Sequence, residues 1–297
     1  MTRQRPVFKA LLIVCGIVLA AIILLPFVWT FSASLQSEAA IVRRPPDWVP
    51  QPVSVENYRY VFTGQIPAAY EARALLRSPV TQEARVLPWG LRNSVTIAVG
   101  VVLVNLVFGT IAAYTLAREE FRGRLMAFYF VLGSRLLPPI AVAVPTYMIL
   151  RQLGLLDTKL ALILVHSAFT LPLTVWILTM YFRSLPIEIE QAALVDGCTR
   201  LGALRRVVVP LAAPGLAAVA AFSFLFSYSE FLFALLTTST VNAKTIPVMI
   251  AAIAGNPDAS YTLMSVGIVM AVVPALLFAV VFRRYITSGL VRSLTHD

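Results

Sequence analysis

Three ionisable side chains stand inside otherwise apolar runs of this sequence: Arg135, His166 and Glu230. Such a group is costly to bury, ~2.5 to 3.5 kcal/mol for an arginine at the centre of a membrane helix, so each invites a functional account. Arg135 precedes Pro138-Pro139 and either faces a water-filled path or pairs with Glu230 or a backbone carbonyl. Glu230 follows Ser227, Tyr228 and Ser229. Hydroxyls beside an aromatic ring suit a sugar, whose C–H faces pack on rings while its hydroxyls need partners, and they also suit a partner subunit. Tyr228 and Glu230, with Arg135, are therefore the candidate residues of a translocation path. His166 has no second histidine or carboxylate at ligand spacing and reads as a satisfied core residue rather than a proton carrier. Cys15 and Cys198 offer neither a disulfide framework nor a metal-ligand spacing.

Several kinds of chemistry are missing. No Gly-x-x-x-x-Gly-Lys-Ser/Thr loop occurs, so the chain does not cradle ATP as P-loop proteins do. His-Glu-x-x-His, a cysteine cluster and Gly-x-Ser-x-Gly are absent too, which leaves an intramembrane hydrolase unsupported.

The most informative polar stretch runs from Leu185 to Pro210. Pro186 suits a first helical position, and Glu188 and Glu190 in the first turn favour the positive end of the helix dipole. Asp196-Gly197 stops that helix, because glycine accepts the left-handed conformation at a helix C-terminus, and Thr199 can cap a second helix running toward Pro210. Ala192, Ala193 and Gly197 keep the elbow narrow. A helix lying in a partner's groove through small and apolar anchors is a recurrent recognition mode.

The elements that must position these residues belong in a bilayer. Hydrophobic residues make up 59% of the 297 and charged ones only 13%, with mean hydropathy +0.83, too little polar surface to cover a soluble globule. Six apolar runs are long enough to span about 30 Å of hydrocarbon, near Phe8–Phe31, Leu91–Ala117, Leu125–Leu150, Leu160–Phe182, Leu211–Leu236 and Thr262–Phe282. The first exceeds a signal-peptide core and reads as an uncleaved anchor. The net charge of +10 sits largely in short connections, as topology signals do, rather than in a nucleic-acid stripe. Arg3, Arg5 and Lys9, then Arg118, Arg122 and Arg124, then Arg183, Arg200, Arg205 and Arg206, and finally Arg283, Arg284 and Arg292 mark one side, against Arg151, Lys159 and Lys244 on the other. Both termini are expected in the cytoplasm. The long segment 32–90 carries Arg43, Arg44, Arg59, Arg73, Arg77 and Arg85 but is expected outside, since long loops translocate largely regardless of charge. It holds Pro45-Pro46, Pro50, Pro52, Pro67 and Pro79, with Glu56-Asn57-Tyr58 opening a short helix around Tyr58 to Phe62, and reads equally as a capping segment or a loose connection.

Glu190-Gln191-Ala192-Ala193, the glycine at Gly197 and Val207-Val208-Val209-Pro210 resemble the EAA loop of ABC importer permeases. Leu91-Arg92-Asn93-Ser94, Ala113-Tyr114-Thr115-Leu116-Ala117-Arg118, Phe121-Arg122-Gly123-Arg124, Leu137-Pro138-Pro139-Ile140, Leu153-Gly154-Leu155-Leu156-Asp157-Thr158 and Ser229-Glu230-Phe231-Leu232-Phe233-Ala234 extend the resemblance to carbohydrate permeases of the maltose type, most of all the MalG-like one of the pair. The resemblance implies an all-α polytopic membrane protein with six transmembrane helices and the type I ABC importer permease fold. It also implies no enzymatic activity in this chain, location in the inner membrane, and a coupling helix carrying Glu190, Gln191, Ala192, Ala193, Asp196, Gly197 and Pro210. That helix would dock on a cytoplasmic ATPase, present in two copies and binding ATP and Mg. A second, MalF-like permease and an external substrate-binding protein complete the implied assembly, with a disaccharide, oligosaccharide, polyol or glycerol phosphate as cargo. Gln191 stands where the family usually has the glutamate of the motif, and valines replace isoleucine and leucine before Pro210, keeping apolar volume. The alternative is an ion-gradient-driven secondary transporter, which needs paired intramembrane carboxylates or broken helices with internal repeats. The sequence has one buried carboxylate candidate and no clear repeat.

Overall fold

The computed structural model describes residues 6–66, 79–256 and 259–294. Arg3, Arg5, Pro67, Arg73 and Arg77 lie outside the described residues. All regular structure in the described residues is helical: α1 Pro6–Ser34, α2 Glu38–Ile41, α3 Glu56–Thr63, α4 Pro79–Arg85, α5 Leu87–Arg118, α6 Arg124–Leu136, α7 Pro139–Gln152, α8 Lys159–Ser184, α9 Ile187–Val195, α10 Arg200–Leu211, α11 Ala213–Tyr228, α12 Leu232–Thr237, α13 Ile246–Ala254 and α14 Tyr261–Leu294. Among the described residues four helices are long and apolar enough to cross a membrane alone, Leu11–Ser34 within α1, α5, α8 and Tyr261–Arg283 within α14. Two bent pairs, α6 with α7 and α10 with α11, bring the number to six when each counts as one span.

The third and fifth apolar runs are therefore not single helices, as their composition alone suggested. α6 and α7 meet at 97°. Two successive prolines account for the bend: Pro138 and Pro139 donate no backbone N–H, and Leu137 before them is forced extended, at φ −70° and ψ 121°. α10 and α11 meet at 80°, between Pro210 and Pro214. The turn before Pro210 widens to π geometry over Leu204–Val208, relieving the ring's conflict with the preceding carbonyls. The fifth run breaks again at Ser229 to Phe231, where α11 ends and the short α12 begins.

The chain divides into two compact units, one of residues 1–88 with 249–272, the other of 89–248 with 273–297. In the first unit, α1 exposes apolar side chains all round, with none of its apolar window buried, as a helix meeting lipid requires. The segment that follows is fastened by polar side chains rather than loosely packed. Asn57 Nδ2 donates to the carbonyls of Ser34 and Gln36, at 3.1 and 2.8 Å, and Gln36 Nε2 donates to Ser32 Oγ and the Asp47 carbonyl, at 3.0 and 2.8 Å. The Glu38 carboxylate accepts from Ser260 Oγ, Thr262 Oγ1 and the backbone N–H groups of Tyr261 and Thr262, capping α14. A carboxylate at the positive end of a helix satisfies orphan donors and the dipole together, worth about 1 kcal/mol.

The second unit is built around α8, which packs on α5, α11 and α12. Ile97, Val101, Ala143, Leu162, Phe233 and Val248 form one buried cluster, while Tyr114, Leu178, Phe182, Leu204 and Val219 belong to another. Asn93 Nδ2 donates to the carbonyls of Val241 and Lys244, at 2.8 and 2.9 Å, and Ser94 Oγ accepts from Ile246 N–H at 2.9 Å. Asp157 adds a second clamp on the same stretch. Its φ of +59° is a left-handed value that aspartate tolerates. Its backbone N–H donates to the Thr237 carbonyl, and its carboxylate accepts from Ser239 N–H, Thr240 N–H and Thr240 Oγ1.

Burial alone would push the Asp157 carboxyl up, but the hydrogen bonds from Thr240 and Ser239 outweigh it and hold the group below the usual aspartate range. A depressed folded value means that the clamp stabilises fully above the ordinary aspartate pKa, about 4, and is lost as pH falls through the lower folded value. Asp157→Ala should thus lower the melting temperature of the detergent-purified complex by a constant amount from about pH 8 to about pH 5, and the difference should shrink in stronger acid. A difference that grows on acidification contradicts this.

Candidate functional site

The segment 185–211 folds as an elbow. Pro186, at φ −57° and ψ 126°, enters α9, whose first turn carries Glu188 and Glu190. The exit is a Schellman turn: Cys198 N–H donates to the Ala193 carbonyl and Gly197 N–H to that of Leu194, with Gly197 at φ +86°. Thr199 then caps α10 by accepting from Gly202 N–H at 3.1 Å. Gln191, Ala192, Leu194, Asp196 and Gly197 are exposed, and Val195 at the tip is 88% exposed, so the elbow presents small and apolar groups outward. Ala193 is half-buried and Pro210 exposed.

Glu190 faces the other way. It is buried at 6% exposure, its Oε1 accepts from Tyr114 Oη, and its Oε2 pairs with Arg118 Nε at 2.9 Å. Arg118 Nη2 also donates to the Leu185 carbonyl at 3.1 Å, holding the entrance of the elbow. Arg200 on the second arm pairs with Glu119 just beyond α5. Beside this base opens a cleft of about 970 Å³, where Arg124 and Arg183 both donate to the Leu116 carbonyl. Tyr114 and Arg118, four residues apart on one face of α5, did not stand out as site residues in the sequence; an aromatic hydroxyl and a cation at that spacing where an apolar run ends was the available signal.

The polar residues within the spans find partners in the chain itself. Arg135 sits half-buried in the bend between α6 and α7, where Nη1 donates to the Phe169 carbonyl at 2.9 Å and the guanidinium lies 5.2 Å from the centre of the Phe226 ring. Of its two anticipated partners, it takes the backbone carbonyl. Glu230 pairs instead with His166, Nε2 to Oε2 at 3.1 Å, while His166 Nδ1 lies 2.8 Å from Ser227 Oγ. His166 is a satisfied core residue, but its partner is a carboxylate 64 positions away, which local spacing does not reveal. Glu230 also accepts from the N–H groups of Phe233 and Ala234, at 2.9 and 3.1 Å, and so caps α12. Tyr228 is buried against Phe224, ring centres 5.6 Å apart. Asn105, unremarked in the sequence although it is an amide within an apolar run, is fully buried at the π turn of α5 and donates to Thr170 Oγ1 and Ser223 Oγ, at 2.6 and 2.8 Å. Among the described residues no group of three or more His, Cys, Asp or Glu side chains is placed to hold a metal ion.

Membrane-length helices in this order, with two bent pairs and an exposed elbow fixed to the end of α5, define a polytopic membrane protein. Residues 105–292 match the family described as binding-protein-dependent transport system inner membrane component, and this chain belongs to that family. It is similar to the trehalose/maltose transport system permease protein MalG of Thermococcus litoralis, 34% identical over 97% of both chains. It is likewise similar to the trehalose transport system permease protein SugB of Mycobacterium tuberculosis, 34% identical over 90% of both. A solved bacterial ABC transporter that imports the acidic polysaccharide alginate contains a chain of the same fold, with TM-score 0.75 at 22% identity, covering 96% of this chain and 98% of that one. The chain is thus a non-catalytic, multi-pass permease subunit of an ABC importer of the inner membrane.

Proposed function

We propose that the chain forms half of the translocation pathway of an ATP-driven carbohydrate importer. The cargo is a disaccharide, oligosaccharide, polyol or glycerol phosphate, a class supported by the names of the similar permeases. The other half is a second, MalF-like permease, two copies of a cytoplasmic ABC ATPase hold ATP and Mg, and an external binding protein delivers cargo. In this reading both termini and the elbow 184–210 are cytoplasmic and the segment 32–90 is outside.

The observation that carries the reading is the elbow: a tip of Gln191, Ala192, Ala193, Val195, Asp196 and Gly197 held out on a base that Glu190 and Pro210 shape. Narrow, built mainly of small and apolar residues and backed by a stiff mount, it suits a groove in an ATPase subunit. Arg135, Tyr228 and Glu230 serve the pathway by shaping it. Each is engaged by groups of this chain, which supports a role in holding the bends of the third and fifth spans over direct contact with sugar.

Proteoliposomes containing this chain, the second permease, the ATPase and the binding protein test the proposal. Uptake of labelled maltose or trehalose should require internal ATP and the binding protein, and should survive collapse of ion gradients. Uptake without the ATPase that follows an ion gradient would establish the secondary transporter instead.

A further inference from the structure

We propose that Glu190, Tyr114 and Arg118 are positioning residues that fasten the elbow to α5, making elbow and helix one lever, and that Glu190 does not touch the ATPase. The proposal rests on the elbow being the ATPase seat. Glu190 lies in the most motif-like part of the elbow, yet it is buried, with the Arg118 and Glu190 side chains only 9% and 8% exposed. Both of its oxygens are occupied by α5, one by Tyr114 Oη and one by Arg118 Nε. An exposed pair would be screened and would yield under load, whereas a buried carboxylate with two fixed donors has nowhere else to go. The entry arm has a further tie to the same end of α5, from Arg118 Nη2 to the Leu185 carbonyl, whereas the Arg200–Glu119 pair on the exit arm is mostly exposed and adds little. With Glu190 and Leu185 both held, the entry arm cannot pivot about a single bond.

The far end of α5 is fixed too. Asn93 and Ser94 hold the backbone of Val241, Lys244 and Ile246, and Asn105 bridges α8 and α11 from the middle of the helix. Asn93 and Tyr114 are 21 residues apart on one helical segment, about 32 Å at 1.5 Å rise per residue. Displacement of the elbow therefore reaches the 241–246 turn through a hydrogen-bonded helix rather than through side-chain packing. The alanine tip and Gly197 make the contact with the ATPase, and the buried triad passes the motion on.

The assembled importer, purified with its partner subunits, with Cys15 and Cys198 replaced by serine and spin-labelled at cysteines replacing Leu201 and Trp89, provides the test. Both sites are exposed, one on the second arm of the elbow away from its tip and one near the start of α5. In the wild type, their dipolar distance should change by less than about 2 Å between the nucleotide-free and vanadate-trapped states, the scale of a rigid helix shift. In Glu190→Ala it should broaden or move, and cargo transported per ATP hydrolysed should fall by about tenfold or more while the ATPase still co-purifies. Glu190→Gln, which keeps the shape, provides a milder variant should the alanine fail to insert, and Tyr114→Phe and Arg118→Ala should shift the same ratio. Partial recovery is expected when Arg118→Glu is combined with Glu190→Arg. A wild-type distance change of about 5 Å or more, one helical turn, would overturn the lever, as would full coupling in both Glu190 variants. If the elbow were not the ATPase seat, bulk at Gly197 would leave ATPase association intact. If only the lever is wrong, Gly197 variants lose association while Glu190 variants couple normally.

Discussion

Replacing Gly197 by valine should abolish uptake and reduce co-purification of the ATPase by about tenfold or more, the scale of a central interface residue. Two effects act at one position. Gly197 adopts φ +86°, a left-handed conformation that costs an ordinary L-residue about 1 to 2 kcal/mol and a β-branched one more. The turn it makes carries two backbone hydrogen bonds, from Gly197 to Leu194 and from Cys198 to Ala193, and valine strains both. Within the chain itself, a Cβ at this position meets nothing within 4 Å. A steric penalty beyond the turn must then come from a partner. Gly197→Asn separates the two effects, because asparagine tolerates the left-handed region yet adds volume toward solvent. If a snug groove receives the elbow, asparagine should also weaken association while the isolated permease melts as the wild type does. Wild-type uptake in the valine variant would remove the basis for assigning the elbow.

The elbow was legible in the sequence because its instructions are local. Pro186, Glu188, Gly197 and Thr199 act within four or five positions of themselves, through a missing N–H, a helix dipole, a left-handed turn and a cap, and the observed helix, turn and helix follow that code. Glu190 shows where local reading stops. Its place in the first turn was plain, but whether it faced a partner or its own chain depended on Tyr114 and Arg118, more than 70 positions earlier. The membrane spans were legible from composition, yet composition does not register a break. Pro138-Pro139, two successive residues without a backbone N–H, produces a bend of 97°. Ser229-Glu230-Phe231 carried no proline or glycine, and the chain turns there because a carboxylate substitutes for the backbone acceptors that a continuous helix would supply. Asn105 leaves little mark on the sequence, since one amide barely changes the hydropathy of its run, although burying it demands partners on two other helices. The broken helices that a secondary transporter is expected to need occur in this importer permease as well.

Glu230→Ala should be among the most damaging single changes in the membrane-spanning part of the chain. The carboxyl group accepts from Phe233 N–H and Ala234 N–H and lies 3.1 Å from His166 Nε2, so alanine leaves all three groups without that partner. Unsatisfied buried groups cost about 1 to 3 kcal/mol apiece, and three together are a large fraction of a marginal stability. The purified complex should melt many degrees lower and lose most of its uptake. Glu230→Gln discriminates between the proton arrangements of the pair. A glutamine oxygen can still cap α12, and its amide can donate to Nε2 if His166 is neutral and holds its proton on Nδ1 toward Ser227. In that case Glu230→Gln should assemble and transport within a fewfold of wild type. With Nε2 as the donor, the amide opposes another N–H, and the variant should fall toward alanine. His166→Phe in the Glu230→Gln background should then recover stability, because the apolar ring removes the opposed donor together with its need for a partner. A Glu230→Ala complex as thermostable and active as wild type would mean that the capped break between α11 and α12 stands without the carboxylate.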